Sequence, residues 1–521
     1  MAPPGHDSAT QPIAPRGLAD RATALVGWTI AWRATSAVAT IALGAVLVRR
    51  LPTSEYGRYT LVLSVLVYIA LLATFGQDQG LLRYLPEVLA RGDRSAAHDL
   101  LRKSAIAVVA VWALTSLVVF ALRPVIDSVL HAHVADLLAL GTVLLLAGIA
   151  SGVLSFALVA IYDMRSQAIA TPIAGALTLA LAILALHRGW HLAGVLLAGA
   201  IGQSTLAAFY LWLLLRRIRR AEGVPGDRVG WRRLLVYASG WLPSLLIASA
   251  VGLQFESLFL LRFAGSTTVA FYDTGYNIPQ RLVALIPSLL TGAWVVGTLE
   301  GAHHEVGRLR AAVLAFYKGI FLVAFPLAIA GVALLGPLVL ALYTLAPAAR
   351  IAPILLAFFI AALMATPWGL VVRVRELAWL NALVSIAQVG FAAIADFWLI
   401  QQFGLWGAVA AVGLTTALTL VLTFIAWRAF DRSSLAIPWA YAARCLVAAL
   451  PFGLLLPLAA THLRLRSLLL VAALILVLAT IAWLYLVRRL KLLSREEVPL
   501  LHQSRQAPVR IALRYLAPES Y

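Results

Sequence analysis

Between Ala24 and Val487 the chain carries fourteen apolar stretches, each long enough to cross a bilayer, and its Arg and Lys residues gather on alternate connections between them. Hydrocarbon offers no partner to a backbone N–H or C=O, so an apolar run of roughly 20 residues satisfies itself as a helix. A transmembrane barrel would instead read as ~10-residue segments of alternating hydropathy, a pattern the sequence lacks. With 62% hydrophobic and 12% charged residues and a mean hydropathy of +0.92, too little polar surface exists to clothe a soluble fold. The expectation is an all-α polytopic membrane protein.

Hydropathy windows place the spans near 23–48, 59–76, 104–122, 137–161, 168–187, 191–215, 234–261, 268–298, 311–341, 351–372, 377–400, 404–427, 441–460 and 467–487. Pro279 and Pro287 predict a kink in the eighth. Assigning alternate connections to the two sides puts thirty basic residues on one side and nine on the other. By the positive-inside rule the richer side is cytoplasmic, which puts both termini inside and makes the number of spans even. The net charge of +19 then reads as topology plus attraction to anionic lipid, and nucleic acid is not an expected partner. Residues 1–22 read as a disordered cytoplasmic tail, 23–215 as a first lobe of six helices, and 216–233 as a basic cytoplasmic linker. Residues 234–427 read as a second six-helix lobe, 428–487 as two further helices, and 488–521 as a basic cytoplasmic tail.

The two lobes look like copies. Gly27-Trp28 recurs as Gly240-Trp241, Tyr59 as Tyr272 and Gly194 as Gly407, all at one constant offset along the chain. Six spans per copy return the chain to the same side, so the copies enter the membrane in parallel, as in transporters that rock two bundles about a central site.

Two arginines, Arg33 and Arg281, fall deep within spans, where an ionised group costs about 2.5–3.5 kcal/mol unless it meets water or a partner. Thr29, Arg33, Ser36 and Thr40 share one face of the first span, and Asp273, Asn277 and Arg281 share one face of the eighth. A guanidinium presents a planar fork that never deprotonates and suits phosphate, so Arg33, Arg281, Thr29, Ser36 and Asn277 are the candidate contacts for an anionic headgroup. The competing reading is structural: Arg281 pairs with Asp273 or Glu256, and Arg33 pairs locally or snorkels toward the cytoplasm. Glu256 and Asp273 are candidates for ion coupling or, equally, interfacial carboxylates. Asp163 and Asp396 read as solvated helix ends. The single cysteine, Cys445, excludes an intramolecular disulfide, and no metal-ligand spacing and no phosphate-binding loop occur, so neither metal nor cofactor is expected.

The segments LVRRLPTSEYGRY (47–59) and FGQDQGLLRYLPE (75–87) are similar to the polysaccharide transporter family, the Wzx-type oligosaccharide flippases of the multidrug/oligosaccharidyl-lipid/polysaccharide exporter superfamily. The residues that carry the resemblance are Arg50, Glu55, Tyr56, Gly57, Phe75, Gly76 and Arg83, with Gly240, Trp241, Pro243, Phe271 and Tyr272 as their second-half echo. Gln77-Asp78-Gln79 departs from the family's apolar continuation. The resemblance implies about 14 transmembrane helices, as two six-helix lobes around a cationic cavity plus two C-terminal helices. Those last two are similar in placement to the pair that forms a lipid groove in the lipid II flippase branch. It further implies a flippase that is not an enzyme and moves a polyprenyl-pyrophosphate-linked glycan across the cytoplasmic (inner) membrane, with anionic lipids and a polysaccharide polymerase complex as further partners. A multidrug/cation antiporter of the same superfamily and a membrane enzyme of polysaccharide assembly are the alternatives; the enzyme would call for a long outer loop, which the sequence does not provide.

Overall fold

The computed structural model describes residues 15–130, 135–161, 163–219, 228–239, 256–299, 306–375, 377–460 and 465–493. The first half comprises α1 (Pro15–Arg50), α2 (Thr53–Thr74), α3 (Gln77–Ala90), α4 (Arg94–Ala121), α5 (Arg123–Leu130), α6 (Ala135–Ala160), α7 (Met164–His187) and α8 (His191–Arg219). The second half begins with α9 (231–239) and α10 (Glu256–Leu299). It continues through α11 (Val306–Tyr343), α12 (Ala346–Ala362), a 3₁₀ turn (Leu363–Ala365), α13 (Trp368–Val374), α14 (Ala378–Phe403) and α15 (Leu405–Phe430). Three helices follow: α16 (Trp439–Leu455), α17 (Pro457–Ala460) and α18 (Leu465–Arg489). Among the described residues, ten helices are long and apolar enough to cross a membrane. Only part of each span is buried inside the protein, 11% of its most apolar stretch in α18 and 44% in α6, which leaves the remainder for lipid.

Helix ends carry rings of exposed aromatics. Trp190, Trp398, Phe403 and Trp406 stand at one set of ends, and Trp28, Trp212, Trp231, Trp379, Phe430 and Trp439 at the other. Such amphipathic rings settle at the headgroup level and mark the two membrane faces.

The two halves repeat in their backbone. Shifted by the offset that relates Gly27 to Gly240, Met164–His187 and His191–Arg219 fall on α14 and α15 with closely matching ends. His191 (φ 43°) and Gly404 (φ 54°) are the left-handed residues of the two matching turns, and the same offset relates them. One turn further on, Gly194 and Gly407 each lack room for a Cβ, one against Ala185 and Trp190, the other against the Leu399 carbonyl. Both halves thus close a tight helical hairpin with the same device.

Several boundaries differ from the sequence reading. Residues 15–22 are the first turns of α1, since Pro15 fits the first helical position and Leu18, Ala19 and Arg21 favour helix. Residues 216–219 complete α8, and α9 starts at residue 231, so the linker is shorter than 216–233. The backbone leaves helical φ/ψ inside α10 at Gly265 (φ 80°), not at Pro279 or Pro287, because only glycine takes that conformation without strain. The tenth window contains a break at Leu363–Thr366 before Pro367, where the Tyr317 hydroxyl donates to the Met364 carbonyl at 2.9 Å. Residues 1–14, Gly240, Trp241, Pro243 and the tail beyond residue 493 lie outside the described residues.

The halves meet through α2 and α10, with α1 packed on α7 and on α10. Gly57 of α2 presses on the Ser266 carbonyl and on the backbone of Ala270, which is its own counterpart in the second half. The pseudo-symmetry axis therefore passes through this crossing. At the same end Arg49 donates from Nε to the Leu342 carbonyl (2.9 Å) and from Nη2 to the Ala341 carbonyl (2.6 Å), and the Tyr343 hydroxyl donates to the Ile41 carbonyl (2.9 Å). A cation thereby caps the C-terminal carbonyls of α11 from the opposite half. Packed on the flank of α11, α16 and α18 share an apolar cluster with it that includes Tyr317, Tyr441, Cys445 and Val487.

Candidate functional site

Beneath that closed end lies a cavity of about 230 Å³ between α1, α2 and α10. From α1 come Thr40, Gly44 and Leu47; from α2, Tyr56, Tyr59, Thr60 and Ser64; from α10, Asp273, Asn277, Gln280 and Arg281; Tyr343 closes it. The stripe Asp273, Asn277, Arg281 thus faces one chamber, as its i, i+4, i+8 spacing requires. Asn277 Nδ2 donates to Asp273 Oδ1 at 2.7 Å. Arg281 makes no ion pair among the described residues, and its Nε is shielded from solvent without a partner. Among the described residues Asp273 is the sole carboxylate lining the cavity, and Tyr56 and Tyr343 complete the polar surroundings of Arg281. A guanidinium with unused donors in a chamber rimmed by hydroxyl and amide groups is built to take an anion.

The structure does not bring Arg33 to the cavity wall. Arg33 is exposed, with its guanidinium 5.8 Å from the ring centre of its neighbour Trp32. Thr40, on the same face of α1, lines the cavity, and Arg33 lies two turns, roughly 10 Å, further from the closed end. Ser36 is half-buried between them and Thr29 lies one turn beyond Arg33 on the helix. This face of α1 is a polar track leading away from the chamber.

Glu256 is not at the cavity either. It stands at the start of α10, within electrostatic reach of Tyr272 and of Asp396 on α14. Asp396 is 1% exposed, and neither of its oxygens has a partner among the described residues; Glu256 is shielded beside the Tyr272 hydroxyl. This corrects the reading of Asp396 as a solvated helix end. Phe263 packs edge-on against Phe397 (5.7 Å) where α14 lies on α10, and Asp396 is buried at that contact between the two helices. Sequence reasoning missed the pair because no local spacing links residues so far apart in the chain; only the apolar neighbours of Asp396 hint at burial. Asp163, by contrast, caps α7, accepting from the Ser166 amide at 3.2 Å.

The motif residues mostly shape backbone. Phe75 (φ 46°) and Gly76 (φ 66°) are successive left-handed residues that end α2 and turn into α3, with Gly76 against the Ala238 carbonyl of α9. Arg83 reaches Glu87 at 3.6 Å. Arg50 contacts His187 Nε2 at 3.5 Å, Glu55 has a shielded oxygen without a partner, and Tyr56 and Gly57 form the cavity rim and the interhalf crossing.

Together, the repeated halves, the cavity on their axis and the two-sided aromatic girdle define a polytopic all-helical membrane protein of two related lobes. The family model described as polysaccharide biosynthesis protein matches residues 26–295, just over half of the chain, and the chain belongs to that family. Its fold is similar to that of transporters of the MOP superfamily. A multidrug resistance MATE family transporter of this superfamily matches in its outward-facing conformation with a TM-score of 0.55 at 19% identity, over 81% of this chain and 99% of that one. The inward-facing conformation of such a transporter matches at 0.55 and 17% identity, over 77% and 96%. A MOP superfamily transporter from Pyrococcus furiosus, described as having a binding pocket of reverse polarity that suggests a different function, matches at 0.54 and 16% identity, over 80% and 99%. A search of curated proteins finds no match.

Proposed function

We propose that the protein is a flippase for a polyprenyl-pyrophosphate-linked oligosaccharide, acting by alternating access in the cytoplasmic (inner) membrane and feeding a surface polysaccharide such as lipopolysaccharide or exopolysaccharide. The observation that carries this reading is Arg281, a guanidinium without an ion pair among the described residues, held in a chamber on the axis between the two halves. In this reading fourteen helical segments cross the membrane. They are α1, α2, α4, α6, α7, α8, the two spans that hydropathy places near 234–261 and 268–298, α11, α12 with α13, α14, α15, α16 with α17, and α18. Both termini are then cytoplasmic.

With that orientation the Arg49 and Gly57 end is the outer one, so the chamber is closed outward and continues inward along the α1 face that carries Ser36, Arg33 and Thr29. A volume of about 230 Å³ suits a headgroup and a first sugar rather than a whole glycan. The remainder would extend along the polar track, while the lipid tail stays in the bilayer and α16 and α18 offer it an apolar flank. Arg281 holds the pyrophosphate, Asn277, Gln280 and the tyrosine hydroxyls bind around it, and Arg33 recruits the anion at the cytoplasmic mouth. Anionic lipids and a polymerase complex are the further partners.

Coupling is assigned to Glu256 and Asp396. Asp396 is buried with neither oxygen partnered among the described residues, on a helix packed against the one that Glu256 begins, and the two carboxylates are the seat for a coupling proton or small cation. A second reading, a multidrug/cation antiporter, draws on this same acid pair and on the shared fold. Purified protein in vesicles separates the two. A flippase relocates a lipid-linked oligosaccharide without consuming it and leaves cationic dyes where they are, whereas an antiporter exchanges dye for ion and leaves the oligosaccharide in place.

A further inference from the structure

We infer that Asp273 is a built-in competitor for the anion that Arg281 binds, so that the chamber is neutral when empty and lets its ligand go. The inference rests on the flippase reading above. Among the described residues Asp273 and Arg281 are the one acidic and the one basic residue lining the chamber, on the same face of α10. Two turns of helix separate their backbones, roughly 12 Å, a span that the long arginine side chain shortens. The carboxylate is not idle: Asn277, lying between the two charges, donates to its Oδ1 at 2.7 Å and fixes its orientation. Asp273 is 7% exposed, so its field reaches Arg281 through protein rather than bulk water.

The physical consequence follows from charge accounting. A lone guanidinium at this depth would be costly to hold in the membrane and would grip a pyrophosphate tightly. A carboxylate on the same stripe lowers the first cost and opposes the second, because an arriving phosphate meets like charge as well as its cation. A carrier must bind strongly enough to load and weakly enough to release, and Asp273 sets that balance. Asp273 thus acts on the ligand both by its own charge and by offsetting that of Arg281.

The test is calorimetric titration of the purified full-length protein with inorganic pyrophosphate, and with orthophosphate in a parallel arm, for wild type, Asp273→Asn, Arg281→Ala and the double variant. Removing the competitor tightens pyrophosphate binding about tenfold in Asp273→Asn, as expected for one unit charge at this range. Arg281→Ala abolishes binding, and in its background Asp273→Asn gains nothing. Structural damage lowers affinity, so a gain cannot come from misfolding; Asp273→Ala provides the same charge removal as a second variant. Unchanged or weaker binding by both Asp273 variants, with Arg281→Ala still inactive, overturns this inference and leaves the flippase reading standing. Wild-type binding by Arg281→Ala overturns both.

Discussion

The Ser266 carbonyl of α10 occupies the place where a Cβ on Gly57 of α2 would stand, so the two halves cross at the pseudo-symmetry axis without a side chain between them. Replacing Gly57 by Val forces the helices apart at the rim of the chamber. Overpacking of this kind costs about 1–3 kcal/mol, and Gly57→Val is expected to lower the thermal midpoint by a few degrees while abolishing polysaccharide export. A variant that keeps both at wild-type levels would show that the crossing is not close-packed.

Arg49 holds α11 from the opposite half through two carbonyl contacts. Arg49→Gln removes the charge, and with an exposed guanidinium each contact is worth on the order of 0.5–1 kcal/mol after screening. The expected outcome is a roughly fivefold shift toward a state open at this end. Thiol labelling of a cysteine placed at Leu342 measures it, and unaltered labelling would remove Arg49 from the closure.

The acid pair predicts a separation of coupling from binding. Glu256→Gln and Asp396→Asn each remove an ionisable carboxylate from a site remote from the chamber, so pyrophosphate binding should stay within about twofold of wild type. Transport in vesicles should lose its response to an imposed proton or sodium gradient. A full response in both variants would return the pair to a structural role.

Beyond α15, Asp431 is buried yet held below the usual carboxylate range: burial opposes the charged form, and hydrogen bonds from Ser433, Arg375 (2.9 Å) and Ser434 outweigh it. A carboxylate lowered on folding adds stability above its unfolded value near ~3.9, and that contribution fades as pH falls through the lower folded value. Asp431→Asn should therefore cost about 1–2 kcal/mol at neutral pH, with the Arg375 side discounted for solvent exposure, and less as acid protonates the folded carboxylate. Thermal midpoints at pH 7 and pH 3 check the convergence; a pH-independent difference would mean the loss is one of packing.

Helices, the constant offset between the halves and the chamber stripe of Asp273, Asn277 and Arg281 were all legible in the sequence, because hydropathy and helical period are local properties. The stripe containing Arg33 was legible as a face, but its distance from the chamber was not, since spacing along one helix says nothing of where a neighbouring helix leaves it. Asp396 was misjudged for a related reason: its burial depends on α14 folding against α10, a contact that no window of sequence contains. Gly265, where the helical run actually breaks, is inconspicuous in composition, while Pro279 and Pro287 are conspicuous and sit within helical φ/ψ.

The most direct test of the central claim is flipping of a fluorescent polyprenyl-pyrophosphate-linked oligosaccharide by purified protein in vesicles, read as quenching by a membrane-impermeant reductant. Wild type should move the lipid, Arg281→Ala should slow it at least tenfold with insertion intact, and Arg281→Lys should recover only part because an ammonium lacks the planar fork. Equal rates for wild type and Arg281→Ala would contradict the account.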